Sequence, residues 1–147
     1  MLPITKTVVA ISPQSVTNAA TVTGNIDTLG YDFAEINFIL NGGNAATNNP
    51  SVLKVSESDD TVVTNFADVT GLVGDTGFTI PNIGTDTATS VVVKMRVGTQ
   101  DRKRYLKATI SPITTEIVGV VANLGRAQDA PVTTTEDSNV AVIVDLG

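Results

Sequence analysis

The sequence predicts an all-β domain: a single-domain β-sandwich or jelly-roll-like barrel of about eight strands. Three observations carry that expectation. Thr and Val together make up more than a quarter of the 147 residues, and both are β-branched types that favour the pleated surface of a sheet. Apolar and polar residues alternate with a period of two through most of the chain. Gly, Pro, Asn and Asp recur between the alternating runs, as turns require. The length fits one domain spanning 1–147, and no stretch within it reads as an interdomain linker.

The elements follow in order. "TKTVVAISP" reads as a first strand stopped by Pro13, and "AATVTGNIDTLG" as a second with Val22 and Ile26 in the core. "YDFAEINFILNGG" allows one helical turn near Asp32 to Glu35, while its "INFIL" reads as a buried strand. A polar loop, "NGGNAATNNPS", leads to the strand "SVLKVSESD". "DTVVTNFADVTGLVGDTGFTIP" reads as a short helix over Val62 to Asp68 and a strand ending at Pro81, followed by the turn or tip "NIGTDTAT". "SVVVKMRV" and "RYLKATIS", joined by "GTQD", read as a β-hairpin. "TTEIVGVVANLG" is a further strand, "RAQDAP" a connection, and "NVAVIVDLG" a C-terminal strand or arm after the exposed "TTTED". Apolar strands at both extremities mark residues 1–12 and 133–147 as arms that pair with each other, with a neighbouring subunit or with a partner surface.

Composition narrows the function classes. The net charge is −6 and the pI about 4.4, so the chain is repelled by nucleic acid and anionic lipid unless its charge is segregated. There is no cysteine and no histidine, which removes disulfides, the usual zinc ligands and every Ser-His or Cys-His nucleophile pair. "MLPITKTVVAIS" lacks a signal-type apolar core, and no apolar run approaches the ~20 residues of a membrane span. These features predict synthesis in a cytosol and no membrane partner.

The charge is in fact segregated. Of nine Lys and Arg residues, six fall between positions 94 and 107: Lys94, Arg96, Arg102, Lys103, Arg104 and Lys107. Within that segment Asp101 is the one acid among the chain's 15. On a hairpin, Leu106, Ala108 and Ile110 would share one face, and Lys103, Tyr105, Lys107 and Thr109 the other. The cluster reads either as a solvated strand face that discourages edge aggregation or as a charge-complementary protein contact. Nucleic acid fits poorly, since Tyr105 is the one nearby aromatic. As a contact surface its residues are Lys94, Arg96, Arg102, Arg104 and Tyr105, because the planar Arg fork grips carboxylates in two places. Lys103 and Lys107 are expected to be solvated.

Other patterns carry less. "SESDD" bunches Glu57, Asp59 and Asp60 without the glycine and distal Glu of a calcium loop, so it reads as a solvated turn. "NGGN" lacks the Lys and Ser/Thr that follow the glycines of a phosphate loop. Asp27, Asp32 and Glu35 are acids of the kind glycosidases pair, with nothing beyond residue type to support that chemistry. The expectation is a non-catalytic protein without metal or cofactor.

Three segments, "TGNIDTLGYDFAEINFIL", "SVLKVSESDDTVVTNF" and "DRKRYLKATISPITTEIVGVVANLGRAQDAP", resemble a family of small head decoration, or cement, proteins of tailed bacteriophages. The resemblance spans roughly residues 16–132 and is most specific in "RKRYLKATISP" and "LGRAQDAP". It implies a structural virion protein made in the host bacterial cytoplasm. Such a protein binds the major capsid protein on the outer surface of the head and stabilises the shell. It implies a homo-oligomer, with a trimer favoured over a dimer, and no cofactor or catalytic residue. Two other readings stay open: a phage tail tube or head-tail connector subunit, and a carbohydrate-binding or adhesion module. The absence of Trp and the few aromatics speak against the last.

Overall fold

The computed structural model describes residues 4–41, 50–81, 90–126 and 140–146, and these form nine strands in two sheets. The strands are β1 (Thr5–Val16), β2 (Val22–Asp27), β3 (Phe33–Asn41), β4 (Val52–Ser58), β5 (Ala67–Val73), β6 (Ser90–Gly98), β7 (Tyr105–Ser111), β8 (Glu116–Gly125) and β9 (Val140–Leu146). One sheet has the order β1-β8-β3-β6-β9 and the other β2-β7-β4-β5. The first strand pairs antiparallel with the eighth, the second with the seventh, the third with the sixth and the fourth with the fifth. That nested pairing is a jelly roll, as the sequence predicts. β9 is added to it as a parallel neighbour of β6.

Period-two alternation explains the packing. In β3, Ala34, Ile36, Phe38 and Leu40 are buried, as are Val93, Met95 and Val97 in β6. Leu53 and Val55 of β4 and Leu106, Ala108 and Ile110 of β7 bury the inner face of the second sheet. The two inner faces share one core cluster, as facing sheets do at a spacing of ~10 Å.

Several boundaries depart from the sequence reading. Pro13 does not stop β1, which continues to Val16. β1 is an edge strand with register shifts between Val9 and Ile11 and between Ile11 and Gln14, and a proline without an N–H is tolerated at such a bulge. The helical turn near Asp32 to Glu35 is absent, because β3 begins at Phe33. The helix over 62–68 shrinks to a 3-10 turn, Val63–Asn65, held by Asp60 rather than by packing, since none of its residues is buried. The strand expected to reach Pro81 ends at Val73. Lys54 lies opposite Val73 and Ser56 opposite Asp68, so β5 bulges between these positions. Gly71 occupies that bulge at φ +91, where a Cβ would press on Leu146 of β9.

The largest departure concerns the predicted hairpin. β6 and β7 lie in different sheets, and residues 99–104 cross from one to the other. The apolar rows of the two strands face each other across the core instead of lying side by side. Alternation alone cannot separate these arrangements, because both bury every second residue. Most of the "NGGNAATNNPS" loop, the "NIGTDTAT" tip, most of "RAQDAP", "TTTED" and residues 1–3 lie outside the described residues. The two terminal strands are paired within the chain, β1 with β8 and β9 with β6, at opposite edges of one sheet.

β1 and β2 approach closely at the corner of the roll. A Cβ on Gly24 would collide with the Ala10 carbonyl oxygen, a backbone atom that cannot swing aside. Gly24→Ala should therefore destabilise the protein by about 1–3 kcal/mol, the range for overpacking a core. Gly119→Ala, whose Cβ would meet the Pro13 ring at an ordinary 3.4 Å, should change stability by less than about 1 kcal/mol. Urea unfolding of both variants checks the contrast.

Candidate functional site

The end of the roll reached by the β2–β3, β4–β5 and β6–β7 connections is tied together by backbone and charge. Both the N–H and the hydroxyl of Thr28 donate to the Arg104 carbonyl, at 3.0 and 2.6 Å. The Thr99 N–H donates to the Asp32 carbonyl at 2.8 Å, and the Asp32 N–H to the Gly125 carbonyl at 3.0 Å. Arg126 Nε donates to the Gly30 carbonyl at 2.6 Å. These bonds bridge the β2–β3 and β6–β7 connections and the end of β8, so the two sheets are fastened at this end.

The cations of the segment 94–107 sit on this frame and are matched by acids of the same chain. Arg104 grips Asp27 with both prongs of its fork, Nε to Oδ1 at 2.9 Å and Nη2 to Oδ2 at 2.7 Å. Its guanidinium also lies 4.8 Å from the centre of the Tyr105 ring, within cation–π range. Arg102 Nη1 is 3.7 Å from Glu57 Oε1, and Lys103 Nζ is 3.7 Å from Asp59 Oδ2. Glu57 also accepts the Lys103 N–H at 3.4 Å. Arg104 holds the Asp27 carboxyl down at about 2 through their hydrogen bond.

The five predicted contact residues therefore separate. Arg102, Arg104 and Tyr105 gather at the fastened end. Lys94 and Arg96 project from the outer face of the five-stranded sheet, where Glu35 lies 3.7 Å from the first and 3.0 Å from the second. Because β6 and β7 belong to different sheets, the single basic face expected of a hairpin does not exist. Lys107 is half-buried rather than solvated, with its ammonium 4.1 Å from the centre of the Phe66 ring. Lys103 is partly exposed. Within the chain, Lys94, Arg96, Arg102, Lys103 and Arg104 each lie within 4 Å of a carboxylate, clasping loops and strands together.

A surface that the charge pattern does not reveal lies on the outer face of the five-stranded sheet. Val9 is 57% exposed, Ile117 50% and Ile39 37%. Register makes them neighbours of further apolar residues: Val9 is opposite Val121, and Ile39 is opposite both Val92 and Gly119, over which Pro13 packs. Diagonal neighbours on one sheet face are still within reach of each other, so Val9, Val121, Ile39, Val92, Ile117 and Pro13 form one patch. The signal was present in the sequence. "INFIL" and "EIVGVVA" are apolar at both parities, which reads as a strand buried on both faces; here one face is covered by the core and the other is open. Beside the patch, Asn37, Glu35, Lys94 and Arg96 give a polar flank.

The remaining motifs resolve into turns. Asp60 accepts the Val62 N–H at 2.9 Å and the Asn65 side-chain amide at 2.8 Å, so the acidic run "SESDD" organises a loop. Among the described residues no group of three or more His, Cys, Asp or Glu side chains is placed to hold a metal. Asp27 and Glu35 are each bound to an arginine, and Asp32 contributes backbone atoms to the fastened end. The depression lined by residues 75–79 is a shallow turn surface. No helix among the described residues is long and apolar enough to cross a membrane. Comparison with protein-family models, curated proteins and solved structures returns no match.

The Asp27–Arg104 clasp has a pH signature. Its folded carboxyl titrates below the ordinary 3.8, so its contribution to stability is present above about pH 4 and is lost as pH falls toward 2. In a carboxyl-carbon NMR titration Asp27 should titrate near 2 in the wild type. In Arg104→Ala its midpoint should rise toward the ordinary Asp value. An unchanged midpoint would show that the fork is not what holds the carboxylate.

Proposed function

We propose that this protein is a capsid decoration, or cement, protein that binds the outer surface of a phage head and stabilises the shell. The observation that carries the reading is the apolar patch on the outer face of the five-stranded sheet. A contiguous exposed apolar surface flanked by polar residues marks a protein contact. Six of the described cations are ion-paired within the chain, so adhesion through this face would rest on apolar burial more than on ion pairing. The jelly roll supports the reading as an analogy, since the fold recurs in viral capsid proteins. The segment resemblance to phage decoration proteins points the same way.

The partner in this reading is the major capsid protein, and the protein acts as a homo-oligomer, a trimer matched to three-fold positions of the shell. Many copies of one capsid surface repeat each contact, and several linked subunits turn a modest affinity into tight attachment. The protein needs no cofactor and performs no catalysis in this role. The fastened end supplies rigidity, because a loop network that cannot shear keeps the contact face in one shape.

The competing structural role is a tail tube or head-tail connector subunit, which would polymerise into rings or tubes. Negative-stain images of the purified protein separate the two: small discrete oligomers agree with decoration, and rings or tubes overturn it. Cosedimentation with assembled heads of the encoding phage tests the face itself. The double variant Val9→Asp/Ile39→Asp should keep its circular dichroism spectrum and bind heads at least about tenfold more weakly, as expected when a central apolar contact is lost. Full binding by the folded variant would remove this face from the interface.

A further inference from the structure

Glu116 is the first residue of β8, and it points into the core. It shares the inward parity of Val118, Val120, Ala122 and Leu124, all buried. The residue is 3% exposed, and neither carboxylate oxygen has a hydrogen-bond partner. A buried acid normally finds a cation or several donors. No cation is at hand: Lys54, Lys94, Arg96, Arg102, Lys103 and Arg104 are committed to other carboxylates, Lys107 to Phe66 and Arg126 to Gly30. The ninth, Lys6, lies opposite Leu124 at the far end of β8.

The ladder of the strand facing Glu116 is interrupted. β1 is an edge strand, and its two register shifts divide it. Beyond them, Gln14, Ser15 and Val16 pair with Val118, Ile117 and Glu116 as a separate three-residue ladder. Pro13, with no N–H to donate, stands at the break. After Val16 the chain turns through Ala19, a non-glycine residue at φ 59. The turn is tied down by the Ala19 N–H on the Pro112 carbonyl and the Ser111 hydroxyl on the Ala20 carbonyl.

We propose that Glu116 and the Gln14–Val16 segment opposite it form a proton-dependent latch at this end of the sandwich. With the carboxyl protonated, the segment stays on β8 and the end is closed. When the proton leaves for solvent, the carboxylate needs water, and the shortest route to water is to lift the short ladder from β8. The ionisable surroundings support this. The described residues 8–26, 36–41 and 108–125, which cover this part of β1, β2, β3, β7 and β8, contain no other Asp, Glu, Lys, Arg or Tyr. On the adjoining β5–β6 connection Asp75 binds the Ile80 N–H, and Asp86 lies outside the described residues. Burial pushes the Glu116 carboxyl up to about 7.

The sign follows. The folded carboxyl holds its proton more tightly than the unfolded or opened one, so the closed state is favoured below pH ~4.5 and loses ground as pH rises toward ~7. Hydrogen exchange, corrected for intrinsic rates, reads the opening residue by residue. In the wild type the opening equilibrium of Gln14–Val16 and Glu116–Val118 amides should rise about tenfold per pH unit between pH 5 and 7. Amides of β3 and β6 should not follow. In Glu116→Gln the pH dependence of those six residues should vanish. Opening that is independent of pH in the wild type, a rise shared equally by the whole sandwich, or a Glu116 carboxyl titrating near 4.5 by NMR would each overturn the latch. These wild-type readouts decide the matter even if Glu116→Gln does not fold.

Discussion

The structure depends on burying both inner sheet faces against each other with side chains of alternate parity. Phe38, Ile36, Leu40 and Met95 from one sheet meet Leu53, Leu106 and Ile110 from the other, all fully buried. A chain with few aromatics has to fill such a core with branched aliphatics, so nearly every inward position must be apolar. Charges are left with the outer faces and the two open ends. At one end the consequence is a mesh of ion pairs and carbonyl bonds; at the other, among the described residues, a buried acid has no hydrogen-bond partner.

Glu57 and Glu116 show how strongly position governs an acid. Both continue an inward row of apolar residues at a strand end: Glu57 after Leu53 and Val55, Glu116 before Val118 and Val120. Glu57 lies beneath the 99–104 connection, where Arg102 and the Lys103 N–H meet it. Neither oxygen of Glu116 meets a donor among the described residues. The same residue type is thus a clasp at one end and an electrostatic liability at the other, and the difference comes from which loop passes over it.

The all-β class, the sandwich architecture and most strands were legible in the sequence because alternation and turn residues are local signals. β3, β4 and β8 were found as strands, and Ile36, Phe38 and Leu40 of β3 were read as apolar, although Phe33, read with them, is exposed. Sheet membership was not legible, since it depends on which strands lie side by side, and the 99–104 crossing imitates a hairpin turn. That one error moved Lys94 and Arg96 to a different face from Tyr105 and made a dispersed set of clasps look like one basic surface. Pro13 misled for the opposite reason: its effect on a strand is decided by whether the strand is at an edge. Ile39, Val9 and Ile117 were visible as apolar residues, but only the covering of one face and not the other makes them a surface. Glu116 was hidden because acidity and inward parity conflict, and a parity argument assigns such a residue to the end of a strand.

The nested pairing sets the order in which the molecule can be completed. Thr5 at the start of the chain pairs with Gly125 near its end, so β1 has no partner until β8 exists. At a synthesis rate of ~5–20 residues per second, the first strand emerges seconds before the strand that covers it. The innermost pair, β4 with β5, is the one that can form earliest, and contacts then accumulate outward at growing sequence separation, the regime of slow folding. For that interval an apolar strand with a proline and two bulges waits unpaired. Those irregularities make it a poor template for a second nascent chain, so the features that interrupt the β1 ladder in the finished fold also guard it while it is being made.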